Sequence, residues 1–282
     1  MSSLLNSSRA PLALAAALLA AALLDACGGR PRDPTLTVAA ASNLVGAMDE
    51  IAAAFEKTAG VQVRLVYGST AQLSQQIANG APFDVFAAAD TEHPEQLAAR
   101  GFLAKDSRAI YAQGQLALWI PGGERIGARE LADLRKPAVR FIAIAQPALA
   151  PYGEAAVEAL QSSGVWPETR SKIVYANNIN MAKQYAATGN AEAAFTAFSL
   201  VIGEPGTVVK IDPGLYRPLQ QALGVVAASP RQAHARQFTA FLLGPNGKRI
   251  LRAHGYRVGV AEEEGFEPPD ESPRQRFSRP PL

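Results

Sequence analysis

The chain has 282 residues, 48% of them apolar, a formal net charge of +2, three histidines and one cysteine. The charge is spread out and no basic stripe is interleaved with aromatics, which argues against nucleic-acid binding. A single cysteine excludes any intrachain disulfide, and so few histidines without a cysteine cluster argue against a metal site.

The first predicted element is a targeting segment. Arg9 precedes an uninterrupted Ala/Leu run over residues 12–24. That run suits a signal-peptide core better than a membrane-spanning helix, which needs about 20 apolar residues. Residues 1–27 are therefore read as a signal peptide and 28–34 as a short linker, which predicts export to the periplasm. The sequence Leu24-Asp25-Ala26-Cys27 resembles a bacterial lipoprotein processing box, in which the cysteine becomes the lipidated N-terminus and the only membrane attachment. Asp25 departs from the small uncharged residue of that box, so ordinary cleavage near Ala26 remains the alternative. Residues 261–282 hold Glu262, Glu263, Glu264, five prolines and three arginines, a composition that reads as a disordered tail.

About 230 residues remain between these ends, enough for one large or two small domains. Residues 36–41 read as a buried strand. Leu44, Met48, Ile51, Ala52 and Phe55 then recur at helical spacing until Gly60. A strand over 61–67, a helix over 71–78, a strand over 84–88 and a helix over 92–100 follow. This β/α alternation predicts a mostly parallel sheet flanked by helices. Strands at 110–111 and 115–120 leave this unit. A second αβ unit follows, with strands at 140–145, 173–175, 193–197 and 208–211 and helices at 153–162 and 180–188. A returning strand at 219–227, helices at 230–243 and 246–254 and a short strand at 256–258 finish the chain.

The late helices have apolar faces but no sheet of their own, so they are expected to pack back on the first unit. The fold class is thus α/β with two lobes: 35–115 plus 225–260 as lobe 1 and 116–224 as lobe 2. Crossing strands are expected near 113–117 and 222–227. Ligands of open α/β sheets bind beyond the C-terminal strand ends, which places a site in the cleft between the lobes.

Four short breaks stand where a strand hands over to a helix: Ser42-Asn43, Gly68-Ser69-Thr70, Pro151-Tyr152-Gly153 and Asn177-Asn178-Ile179. Each taken singly is explained by helix capping. Together they could aim four helix N-termini at one spot. Each N-terminus carries about +0.5 charge, so four balance about two negative charges. None of the breaks contains Lys or Arg, and the pattern suggests a small oxyanion held by neutral dipoles.

Further segments carry a family resemblance: Ala40-Ala41-Ser42-Asn43-Leu44, Tyr67-Gly68-Ser69-Thr70, the run from Phe83 to Asp90, Ala150-Pro151-Tyr152-Gly153, Asn178-Ile179, the run from Gly189 to Ala197 and that from Ile250 to Tyr256. In their order and spacing, from Leu36 to Val258, the chain resembles the periplasmic molybdate-binding proteins of ABC importers. The resemblance implies the two-lobed periplasmic substrate-binding-protein fold, with molybdate or tungstate in the cleft as cargo, no cofactor and no catalytic residue. It implies a monomer that serves an ABC permease and its ATPase subunits. Carried over by position, the anion is bound by Ser42 with Asn43, Ser69, the N–H of Tyr152 and the N–H of Ile179. Some members add a tyrosine hydroxyl where this chain has Ala197, and Asn43 is expected to supply a donor in its place. Molybdenum would be held as the oxyanion, without protein ligands to a bare cation.

Other functions stay open at this stage: another oxyanion such as sulfate, a lyase or dehydratase on the same fold, or an effector-sensing domain. The breaks offer only Ser, Thr, Asn and Tyr, and Ser69 has no partner histidine to activate it. Asp84 and Asp90 are read as capping or loop-binding carboxylates. His93 lies three residues after Asp90, a spacing also seen in metal sites. His234 and His254 are expected in solvent, Trp119 and Trp166 in packing, and Tyr67 either in the core or at the cleft border.

Overall fold

The computed structural model describes residues 35–259. The signal peptide with Cys27, the linker and the tail lie outside the described residues. The chain runs β1 (Thr35–Ala41), α1 (Ala47–Ala59), β2 (Gln62–Gly68), α2 (Thr70–Ala78), β3 (Val85–Ala87), α3 (Glu92–Ala99), β4 (Ala109–Gly114) and β5 (Leu116–Ile120). It continues with β6 (Ile142–Ala145), α4 (Pro151–Ser162), β7 (Ile173–Ala176), α5 (Ile179–Ala187), β8 (Ala193–Ala197), β9 (Thr207–Lys210), β10 (Leu219–Val225), α6 (Gln232–Leu243) and α7 (Pro245–Ala253).

The strands form two five-stranded sheets, ordered β2-β1-β3-β10-β4 and β7-β6-β8-β5-β9. Each is mixed. The strands that alternate with helices pair in parallel, β1 with β3 and β6 with both β7 and β8. The strands next to the crossings pair antiparallel, β10 with β3 and β4, and β5 with β8 and β9. The central strands are continuous apolar runs because helices cover both faces; all of β5 is buried, as is β1 apart from Thr35.

The late helices do pack on the first sheet. Phe55 of α1 meets the edges of Phe238 and Phe241 of α6 at centroid separations of 5.2 and 5.7 Å, within a core that also holds Ile250 and Leu251 of α7.

The second crossing lies earlier than the sequence suggests. Residues 219–224, assigned above to lobe 2, belong to the first sheet, because β10 pairs along its length with β4 and β3, Leu219 opposite Gly114 and Leu223 opposite Ala87. The expected crossing at 222–227 is therefore inside lobe 1. The chain crosses at Gln115 and again just before Leu219, where the Leu116 N–H donates to the Tyr216 hydroxyl at 3.1 Å.

The first helix also starts later than expected. Ser42–Leu44 form a separate 3-10 turn, and α1 begins at Ala47, where the Asp49 carboxylate accepts the Gly46 N–H at 3.0 Å. Ser42 and Asn43 are not its caps.

Candidate functional site

Each sequence-selected residue sits at a helical start just past the C-terminal end of a strand. Ser42 and Asn43 open the 3-10 turn after β1, and Ser69 is the residue before α2, directly after β2. Tyr152 is the second residue of α4, which follows β6 after a short loop, and Ile179 opens α5 two residues after β7. N–H groups at such positions have no partner within their own helix.

The two lobes bring these starts together. The Ala71 N–H, in the first turn of α2, donates across the cleft to the Leu149 carbonyl ahead of α4 at 3.2 Å. Ala41 and Ala89 of lobe 1 share one buried cluster with Tyr152, Ile179 and Ala197 of lobe 2. The turn at Ser42 packs against α5. All five selected residues are buried, and none is hydrogen-bonded to a Lys or Arg side chain among the described residues.

Capping does not account for Ser69. Its backbone is extended, as an N-cap should be, yet its side chain makes no cap bond. Its Oγ is 2% exposed at the residue level and has no hydrogen-bond partner. Only three buried side-chain polar atoms among the described residues lack a partner: Ser69 Oγ, Asn43 Oδ1 and Thr196 Oγ1. Two of the three belong to residues of the oxyanion set read from sequence, Ser69 Oγ as a donor that an anion would satisfy and Asn43 Oδ1 as an acceptor that it would not; nothing in the structure explains the third. A buried orphan costs about 1–3 kcal/mol and calls for a reason. At the fourth break, Asn178 is an ordinary cap, accepting the Met181 N–H at 2.9 Å, which leaves the Ile179 N–H at the helix tip.

Asn43 departs from the expectation in one respect. Its side-chain NH2 does not stand idle to replace the tyrosine absent at Ala197. It donates to Gln221 Oε1 and to the Tyr256 hydroxyl, both at 3.0 Å. Gln221 Oε1 also accepts from the Tyr111 hydroxyl at 2.8 Å, and its Nε2 donates to the Tyr152 hydroxyl at 3.0 Å. The Tyr256 and Ser199 hydroxyls both reach the Asn43 carbonyl, at 2.6 and 3.0 Å. Burial pushes Tyr111, Tyr152 and Tyr256 above the usual phenol range, so all three stay neutral.

Sequence reasoning missed this network. Its one visible trace is Gln221, a buried polar residue just before the apolar second half of β10.

Two glycines let the site close. A Cβ on Gly153 would lie 2.2 Å from the Ala145 carbonyl oxygen, so α4 reaches the end of β6 only without one. A Cβ on Gly114 would lie 2.0 Å from the Tyr152 hydroxyl and 2.5 Å from Gln221 Nε2.

The carboxylates weighed above serve the fold. Asp84 accepts from the Thr37 N–H at 2.7 Å and the Ser229 hydroxyl at 2.6 Å. Asp90 accepts the His93 N–H and pairs with its ring at 2.6 Å, which raises the His93 pKa against the opposing effect of burial. His254, expected in solvent, instead pairs with Glu50 at 3.0 Å. Tyr67 is half-buried and donates to Asp49. Trp119 is packed in the lobe 2 core and donates to the Pro205 carbonyl.

Comparison with known proteins agrees with this architecture. A family model described as bacterial extracellular solute-binding protein matches residues 36–257. The molybdate-binding protein ModA of Azotobacter vinelandii is 37% identical over 88% of this chain and 97% of its own length. That of Rhodobacter capsulatus is 34% identical over 86% of this chain and 94% of its own. The solved periplasmic molybdate-binding protein of Azotobacter vinelandii superposes with a TM-score of 0.75, at 33% identity, covering 79% of this chain and 99% of that one. The chain belongs to the bacterial extracellular solute-binding proteins.

Proposed function

We propose that this protein is the extracytoplasmic substrate-binding component of an ABC importer, and that its cargo is molybdate, with tungstate as a near equivalent. The observation that carries the reading is the buried Ser69 hydroxyl, uncapped and unpartnered at a helix N-terminus in the inter-lobe cleft. The donors are the Ser42 and Ser69 side chains and the N–H groups at Ser42, Asn43, Tyr152 and Ile179. The relatives named molybdate-binding proteins support the choice of anion.

The chemistry follows from the donor set. A tetrahedral dianion presents acceptors only, so hydroxyls and helix-start N–H groups satisfy it without a countercharge. Hydrogen phosphate carries a proton that would need an acceptor. Leaving that O–H unpaired costs about 1–3 kcal/mol, or roughly ten- to a hundredfold in affinity. Sulfate is also fully ionised and is rejected by size, since its oxygens lie closer to the centre and cannot reach donors from both lobes at once. Molybdate and tungstate are nearly the same size, so the cradle separates them poorly.

Donors from both lobes make the closed form the one that binds tightly, and closure signals the loaded state to the permease and its ATPase subunits. The protein acts as a monomer in the periplasm without a cofactor, and lipid on Cys27 would tether it to a membrane. Among the described residues no helix is long and apolar enough to cross one. An enzymatic reading finds no support in the cleft, where the buried titratable groups nearest the anion set are three neutral tyrosines.

Calorimetric titration of the mature protein with molybdate, tungstate, sulfate and phosphate tests this. Tight, similar binding of the first two and weak binding of the others is expected. Sulfate binding as tight as molybdate would refute the assignment.

A further inference from the structure

Gln221 sits in the middle of β10, just past the second crossing, with its side chain fully buried. It touches Asn43 and Tyr111 of lobe 1 through Oε1 and Tyr152 of lobe 2 through Nε2. We propose that Gln221 is a positioning residue that ties Asn43 to Tyr152 across the cleft and sets which end of the Asn43 carboxamide is left to meet the anion. The proposal rests on the oxyanion reading above.

A count of protons supports it. The Tyr111 hydroxyl has one proton and two acceptors within reach, the Ala88 carbonyl at 2.7 Å and Gln221 Oε1 at 2.8 Å. One oxygen pair is thus left without a proton. Asn43 spends both N–H groups on Gln221 and Tyr256, and its Oδ1 has no partner. An unpaired acceptor is the wrong group for a dianion.

A half-turn of both carboxamides keeps the three Gln221 contacts and reverses their sense. Gln221 Nε2 then donates to Asn43 Oδ1 and to the Tyr111 hydroxyl, and Tyr111 gives its proton to the Ala88 carbonyl. The Tyr152 hydroxyl donates to Gln221 Oε1. The unpartnered group of Asn43 becomes its NH2, a donor. The unmet pair moves to Tyr256, whose proton stays on the Asn43 carbonyl at 2.6 Å while its oxygen faces Asn43 Oδ1. The triangle of Ser199, Tyr256 and the Asn43 carbonyl leaves one further pair short of a proton in both arrangements, so the count is equal and neither dominates by it, and an anion that needs a donor selects the second. Because Tyr152 belongs to lobe 2, parting the lobes removes one of the three partners that hold Gln221 in either sense. Selection of the donor and closure are thereby coupled.

The test is calorimetric titration of wild type, Gln221→Met, Tyr152→Phe and the double variant with molybdate and with phosphate. Gln221→Met keeps the length of the side chain and removes its polar groups. Tyr152→Phe removes the hydroxyl and keeps the N–H at the helix start. Each single variant is expected to weaken molybdate binding about tenfold. The double variant should also lose about tenfold rather than a hundredfold, since both changes break one chain of bonds. The molybdate-to-phosphate affinity ratio should fall in Gln221→Met, which a general loss of stability would not cause. If wild type binds molybdate while both single variants stay within twofold of it, or their losses multiply, the positioning role is overturned and the oxyanion reading stands. A wild type that fails to bind molybdate overturns the oxyanion reading and this proposal with it. Should Gln221→Met not fold, Tyr152→Phe decides alone, and affinity within twofold of wild type overturns the role.

Discussion

Replacing Ser69 by alanine should move stability and affinity in opposite directions. The Ser69 hydroxyl is buried with no partner among the described residues, a desolvation cost of about 1–3 kcal/mol that the closed cleft carries until an anion accepts its proton. Alanine removes that cost and little packing, because only one oxygen is lost and Ser69 makes no cap bond. The ligand-free variant should therefore be at least as stable as wild type. A gain of about 1 kcal/mol corresponds to a melting temperature about 2–4 °C higher for a domain of this size. Molybdate binding loses one hydrogen bond to a charged acceptor, about 1.5–3 kcal/mol, which weakens affinity by about 10- to 150-fold. Thermal unfolding with and without molybdate reads both effects in one experiment. A ligand-free variant that melts several degrees lower, with affinity intact, would refute the reasoning, because Ser69 would then be a structural residue.

Gly153→Ala should be costly in both respects. Its Cβ would lie 2.2 Å from the Ala145 carbonyl oxygen, so the start of α4 must retreat by about 1 Å, costing about 1–3 kcal/mol of stability. The Tyr152 N–H retreats with it, and titration should show molybdate affinity lower by more than tenfold. The His93–Asp90 pair gives a pH signature. Its hydrogen bond raises the folded-state pKa of His93 above 6.5, so its stabilisation is fully present below that value and is lost as pH rises through the folded-state pKa. The pair is partly exposed, which limits the effect to less than about 1 kcal/mol. Denaturation of His93→Gln should show a smaller stability difference between pH 5 and pH 9 than wild type; an unchanged difference would show that the pair contributes nothing. At the N-terminus, mass spectrometry of the processed protein should find acyl chains on Cys27, and an unmodified N-terminus near Ala26 would show ordinary cleavage.

The parts of the fold legible in the sequence were those where a local pattern coincides with burial. The apolar run at β1, the helical spacing of Met48, Ile51 and Phe55, and the apolar faces of α6 and α7 all reappear as core. The second crossing is less legible, because β10 is apolar along its second half whichever sheet it joins, and only its pairing with β4 and β3 decides that. Asn43 looked like a helix cap because Asn before an apolar spacing usually is one. It lies instead inside a 3-10 turn ahead of α1, where Tyr256 and Ser199, far away in sequence, donate to its carbonyl. The tyrosine–glutamine network was hidden for the same reason. Its members are scattered from Asn43 to Tyr256, and only the folded chain brings them to hydrogen-bonding distance.

The most direct test is diffraction from crystals grown with molybdate, using the anomalous signal of molybdenum to locate the anion. One peak is expected in the cleft, with its oxygens accepting from Ser42, Ser69 and the N–H groups of Tyr152 and Ile179. A peak elsewhere, or an anion held there by a lysine, an arginine or a metal ion, would contradict a cradle built from neutral dipoles.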